Sequence, residues 1–224
     1  MTKLNMTLKC NDKIIENTTS TTFLGIIMDE LCTWLPHIVK VCNKLDRFVY
    51  ALHRLKKTAD KSTALTAYHG YVASVLRYGL ILWGNARDIN RVFIVQKRCI
   101  RAICSAAPRD TCKPLFQNLN ILSLPSLYIY EMACFAHKHR TLFTWYDDIK
   151  KNSRHPNKIV YPPCRTTFCQ RSCYRMLIKI YNKLPAPLKS HPLIIFKKKL
   201  HKWLVNQCFY SIEEYLNFNH ICIE

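Results

Sequence analysis

Apolar residues recur at spacings of three and four along most of this chain, the mark of helices that bury one face, and alternate only near its start. Residues 6–15 alternate loosely about Asn11-Asp12, a turn signal, and residues 21–28 are β-branched and apolar around Gly25, so short strands are predicted over residues 1–28. After Pro36 the pattern turns helical. Ile38, Val41, Cys42, Leu45, Phe48, Val49, Leu52 and Leu55 share a face, and proline is tolerated in the first turn. A second helix is predicted from Asp60 or Ser62 through Leu65, Tyr68, Val72, Val75 and Leu76, before Gly79 and Gly84 loosen the chain. Asp88 caps a third, with Ile89, Val92, Phe93, Ile100 and Ile103 on its apolar side. Further helices are expected at 112–119, 124–142, in SCYRMLIKIYNKLP, at roughly 192–206 and in SIEEYL at 211–216. The fold class is therefore mainly α with a small β portion ahead of it. Residues 1–35 form the strand region, 36–150 a helical domain and 151–224 a basic, mixed region with a short acidic tail.

Composition adds constraints. With 224 residues, 49% of them hydrophobic, the chain can bury a core, which excludes wholesale disorder. No stretch approaches the roughly 18 apolar residues that cross a bilayer, and the first dozen residues hold no signal-peptide core, so an intracellular location, nuclear or cytoplasmic, is expected. In such a compartment the 12 cysteines are expected to be thiols. Gly25, Gly70, Gly79 and Gly84 make neither GxGxxG nor GxxxxGK, which argues against a Gly-rich phosphate loop.

Charge changes the picture more. The net charge is +20, and residues 151–206 carry 13 basic side chains with no acid, inside a stretch free of acids from 149 to 212. Such a stretch cannot neutralise itself by ion pairing, and it implies a polyanionic partner, nucleic acid first and anionic membrane second. Lys40, Lys44, Arg47 and Arg54 fall together opposite the apolar stripe of the first long helix, where a solvated helix back is the plain alternative. Lys97, Arg98 and Arg101 repeat the arrangement on the third. In the acid-free stretch the candidates are Arg171, Arg175, Lys197, Lys198 and Lys202. Tyr161, Phe168, Tyr174, Tyr181 and Trp203 are interleaved there, as in proteins that hold strands by stacking and phosphate contacts. Tyr174 and Tyr181 are expected in the core.

Three constellations invite a catalytic or metal reading. Trp145-Tyr146-Asp147-Asp148 offers the paired carboxylates that metal-assisted phosphoryl transfer uses. That chemistry sets the pair on a tight turn between strands, whereas the flanks FAHKHRTLF and IKKNSRHP read as a helix end running into a loop, so solvated acids are expected. Cys164, Cys169 and Cys173, with His155 and His191 near in sequence, have CxxxxC and CxxxC spacings instead of the CxxC knuckle of zinc sites and are expected as free thiols. His137 and His139, two apart, point different ways on a helix and cannot chelate together. No catalytic residue, metal or cofactor is assigned.

The order of short strings along the chain is itself informative. FLGI at 23–26, Asp29, Leu31 and Trp34 with HI at 37–38, KL at 44–45, YGLILWG at 78–84, QKRCIRAI at 96–103, LFQNLNILSL at 115–124, IYNKLP at 180–185 and FYSIEEYL at 209–216 succeed one another. This resembles the region after the catalytic centre in non-LTR (LINE-type, jockey-like) retrotransposon reverse transcriptases, namely the last palm strands, the helical thumb and the post-thumb region. The resemblance makes residues 1–35 a palm remnant, 36–150 a thumb-like bundle and 151–224 a post-thumb region. It implies that the two basic helix faces grip a template-primer duplex by its phosphates, with little sequence readout and strong salt dependence. It gives no family motif for the later cations. It also implies that the magnesium-binding aspartates lie upstream of FLGI, so Trp145-Tyr146-Asp147-Asp148 is not that motif. The chain is expected to be a truncated, non-catalytic segment of an RNA-directed DNA polymerase that binds RNA, DNA or their hybrid. The alternatives are a transposon-derived remnant or a helical protein-interaction module without selected activity and, more weakly, a membrane-surface role for the 192–206 lysines.

Overall fold

The loose alternation at the start resolves into two hairpins. The computed structural model describes residues 8–11, 13–15, 17–146, 157–166, 169 and 172–219. In it β1 (Leu8–Cys10) pairs antiparallel with β2 (Lys13–Ile15) across Asn11, which takes a positive φ. Residues 21–28 are not one strand. β3 (Ser20–Phe23) turns back on β4 (Ile26–Asp29) because Leu24 and Gly25 take left-handed φ values of 48° and 80°, the twist a two-residue hairpin needs. Asp29 then shapes the next turn. Its carboxylate accepts hydrogen bonds from the Thr33 and Trp34 backbone N–H groups and the Thr33 hydroxyl at 2.9–3.0 Å. Burial alone would raise its pKa, but these bonds outweigh that and hold it below the ordinary value.

α1 (Leu35–Thr58) buries Ile38, Val41, Leu45, Val49 and Leu52. The next helical rod has a break in its period. α2 (Lys61–Ala67) starts at Asp60, whose carboxylate accepts from the Thr63 N–H at 3.2 Å, and runs through a π-helical turn, Tyr68–Ala73, into α3 (Ser74–Arg77). The sequence pattern predicts a regular helix there, yet the buried residues are Ala64, Tyr68, Val72 and Leu76, every fourth position. At about 100° per residue such a set drifts by roughly 40° per step around an α-helix, and the wider π turn takes that drift back.

Gly79, at φ 63°, opens α4 (Leu80–Trp83), and a Cβ there would stand 2.5 Å from the Ile26 side chain. Trp83 is fully buried, edge-on to His37 at 5.5 Å, with its indole N–H on the Tyr78 carbonyl at 3.0 Å. α5 (Ile89–Cys104) packs along α1 and buries Val92, Phe93, Cys99, Ile100 and Ile103. Asp88 occupies its N-cap position but makes no capping bond; its carboxylate pairs instead with Arg91 at 3.3 Å.

α6 (Lys113–Asn118) leads to α7 (Leu124–Lys138), which is apolar nearly all round and so becomes the central helix. It packs against α4, α5 and three later helices, α8 (Cys173–Lys183), α10 (Leu193–Gln207) and α11 (Ile212–Asn217), with the short α9 (Ala186–Lys189) joining α8 to α10. One core runs through all of them. After α7, Trp145 pairs with Ile159 in an antiparallel bridge, the Tyr146 N–H donating to the Lys158 carbonyl at 3.0 Å and the Val160 N–H to the Thr144 carbonyl at 2.8 Å. The flank FAHKHRTLF is a helix end, as expected, and IKKNSRHP lies outside the described residues; what the sequence pattern does not show is that Trp145, 2% exposed and edge-on to Tyr181, enters a bridge with Ile159. The molecule is mainly helical with small antiparallel β structure ahead of the helices. Among the described residues no helix is long and apolar enough to cross a membrane.

Candidate nucleic-acid interface

The basic residues of α1 and α5 lie on neighbouring helices, because Arg98 of α5 forms an ion pair with Asp46 of α1. Much of the α5 set is committed to the fold. Arg101 donates Nε and Nη2 to the Asp110 carbonyl at 3.1 and 2.9 Å, and the Lys97 ammonium lies 4.6 Å from the centre of the Phe93 ring and 5.6 Å from that of Tyr210. On α1, Lys40 donates to the Gly25 carbonyl at 3.1 Å and so tethers the β3–β4 turn, while Lys44 sits 5.5 Å over Tyr71, itself stacked on Phe48. Arg47 and Arg54 are exposed and have no hydrogen bond or ion pair among the described residues. The sequence places the four α1 cations on one face; it cannot tell which two are already engaged.

In the acid-free stretch, Arg175 lies 5.3 Å over the Tyr161 ring and donates to the Pro162 carbonyl at 3.3 Å. Arg171 lies outside the described residues, as do Phe168, His155, Asp147 and Asp148. Tyr174, expected in the core, is 40% exposed and stacks on Phe143 at the surface, because α8 buries Leu177, Ile178, Ile180 and Tyr181 and leaves Tyr174 off that stripe. Trp203 is core, against Phe209, Tyr215 and Phe218.

The α10 cations are arranged differently. α10 buries Phe196, Leu200, Trp203 and Leu204, which turns Lys197, Lys198, His201 and Lys202 outward together. With Asn120 and Tyr130 they line an open cleft of about 540 Å³. A narrow crevice of about 40 Å³ adjoins it, bounded by Tyr68, His69, Ala73, Arg77 and Leu127 and sharing Asn120 and His201. Lys197, Lys198 and Lys202 reach no carboxylate at ion-pair distance among the described residues. Glu131, an acid close by, is paired with Arg77 at 3.4 Å and also feels Lys197, yet burial still raises its carboxyl above the ordinary value. His201 is held below its ordinary pKa by burial first, then by Arg77 and His69. Sequence reasoning finds the three lysines and misses Arg77, His69, His201, Tyr130 and Asn120, all but one of which come from other segments. No periodic signal joins those segments.

His137 is held within the helical core: its Nδ1 lies 3.0 Å from the Tyr181 hydroxyl and its Nε2 3.0 Å from the His191 carbonyl, and it stacks on Phe196. The Cys164, Cys169 and Cys173 sulfurs are free thiols, and the described residues hold no group of three or more His, Cys, Asp or Glu side chains placed to bind a metal. No family model, no curated protein and no solved structure matches this chain.

Proposed function

We propose that this chain holds nucleic acid by its phosphates, as the thumb-like and post-thumb part of a non-LTR retrotransposon reverse transcriptase, without itself joining nucleotides. The observation that carries the reading is a set of exposed cations on a rigid helical frame that reach no carboxylate among the described residues: Arg47 and Arg54 on α1, Lys198 and Lys202 on α10. Cations left unpaired on regular helices are available to replace the counterions of a polyanion. The ordered strings from FLGI to FYSIEEYL supply the family part of the proposal.

The test is fluorescence anisotropy of the purified chain with RNA–DNA hybrid, duplex DNA and single strands over a range of salt. Affinity should fall linearly on a log–log plot against salt, and Arg47→Gln with Arg54→Gln should reduce the slope by about 2, roughly one for each phosphate contact removed. A chain that binds none of the three at low salt overturns the reading. A helical protein-interaction module is the second reading, favoured by Phe23, Leu24 and Tyr78, exposed by 63%, 71% and 54% at the β3–β4 end.

A further inference from the structure

The cleft beside α10 has a shape and a charge that a backbone-gripping surface does not need. Its volume of about 540 Å³ falls within the range of small-ligand sites. Its walls come from separate parts of the chain: the α6–α7 turn gives Asn120, α7 gives Tyr130, and α10 gives Lys197, Lys198, His201 and Lys202. The crevice of about 40 Å³ that shares Asn120 and His201 with it is too small for more than a water or so, and it brings His69 and Arg77 beside the cleft. The cations therefore gather around one open cleft with His201 and Asn120 instead of tracking a line.

We propose that this cleft binds a phosphomonoester, the terminal phosphate of a nucleic-acid strand or of a free nucleotide, between the three lysines, His201 and the Asn120 amide. For the strand end as its source the proposal rests on the nucleic-acid reading above; for the chemistry it does not. A monoester is close to a dianion at neutral pH and exposes three acceptor oxygens at a chain end, whereas an internal phosphodiester carries one charge and must continue on both sides. Lys197, Lys198 and Lys202 supply ammonium donors, and the nearby carboxylate, Glu131, is engaged with Arg77. His201 adds a proton-linked contact. In the free protein burial, Arg77 and His69 disfavour its imidazolium, and a phosphate placed beside it reverses the sign of the nearest charge. The other titratable groups that line the cleft and crevice with it are Tyr68, Tyr130, Lys197, Lys198 and Lys202. Binding of the dianion then takes up a proton at His201 and strengthens as pH falls, until the phosphate gains its own second proton at about pH 6.

The experiment uses the full chain and two readouts. The His201 imidazole is followed by NMR during titration with inorganic phosphate and with adenosine monophosphate, and anisotropy compares single strands ending in a phosphate or in a hydroxyl. Saturable movement of the His201 resonances is expected, together with about tenfold tighter binding of the phosphate-ended strand. Lys198→Gln with Lys202→Gln, both at exposed positions, should remove that preference, while Arg47→Gln with Arg54→Gln should weaken both strands alike and keep it. If neither phosphate nor the nucleotide moves His201 and the two strand ends bind equally, the cleft proposal falls, and nucleic-acid binding on its own leaves the wider reading standing. If phosphate moves His201 but no nucleic acid binds in any form, the wider reading falls and the cleft remains a nucleotide site.

Discussion

Gln96, fully buried within QKRCIRAI, donates its amide to the Tyr68 hydroxyl and the Leu122 carbonyl, both at 3.0 Å, and accepts from the Leu124 N–H at 2.8 Å. One side chain thus ties α5 to the π turn and to the start of α7. Asn182 of IYNKLP does the same for the Trp145–Ile159 bridge, bonding both the N–H and the carbonyl of Ile159 at 2.8 Å. Neither role is legible in the sequence, because a glutamine or asparagine that satisfies buried backbone looks the same in a string as one facing water. Lys189 is a sharper case. Surrounded by basic neighbours in the acid-free stretch, it is 5% exposed, with its ammonium on the Asn182 carbonyl at 3.1 Å and 5.3 Å from the centre of the Tyr181 ring. Burial, helped by Lys158, lowers its pKa from 10.5 to about 8. Below about pH 8 both folded and unfolded chains hold the proton and the full cost of burying the charge is present; as pH rises towards 10.5 the cost disappears. Lys189→Met should therefore be more stable than the parent at pH 7, by about 1–3 kcal/mol, and lose that advantage near pH 10. Urea melts of both proteins at the two pH values check this. Equal loss of stability at both would mean that the contacts of the lysine matter more than its charge.

At the scale of elements, periodicity reads best where a helix buries one clean stripe. α10 and α11 begin and end within one residue of where the pattern places them, and α1 starts beside Pro36 and runs three residues past Leu55, the last of its stripe. It reads worst where a backbone angle or a distant contact decides. The turn that splits β3 from β4 depends on two left-handed residues, the Trp145 bridge on a partner 14 positions away, and α4 on Gly79 and Gly84 serving packing instead of looseness. Gly84 lets α4 close on α7: a Cβ there would come within 2.2 Å of Tyr128 Cδ2 and 2.7 Å of the Leu80 carbonyl. Tyr128 is 1% exposed and cannot swing aside. Gly84→Ala should cost about 1–3 kcal/mol by overpacking, and Tyr128→Leu in the same chain should recover part of that loss. Denaturation of the single and double variants measures the coupling, and additive effects would refute it.

Across the whole molecule the charge of +20 divides into used and unused parts. The candidate site was legible as charge and not as geometry: sequence gives the lysines of α10, while folding adds Arg77, His69 and His201 and commits Arg98 and Arg101 to holding the bundle together. Unused cations of one sign repel one another and oppose compaction, so screening should help the fold. The melting temperature should rise by about 2–4 °C for each kcal/mol of repulsion removed as salt increases, with phosphate acting beyond chloride at equal ionic strength. Calorimetry in the two salts checks this, and a melting temperature that falls with salt would show that ion pairs dominate instead. The wide turn at Tyr68–Ala73 also sets which lengths of chain this architecture accepts. Buried positions there stand four apart; losing one residue within the turn would leave spacings of four, three and four, the stripe of an ordinary α-helix, whereas gaining one would widen a turn that is already wide. Shortening and lengthening are thus unequal at this point, and deletion of one residue within the turn should be tolerated more readily than insertion of one.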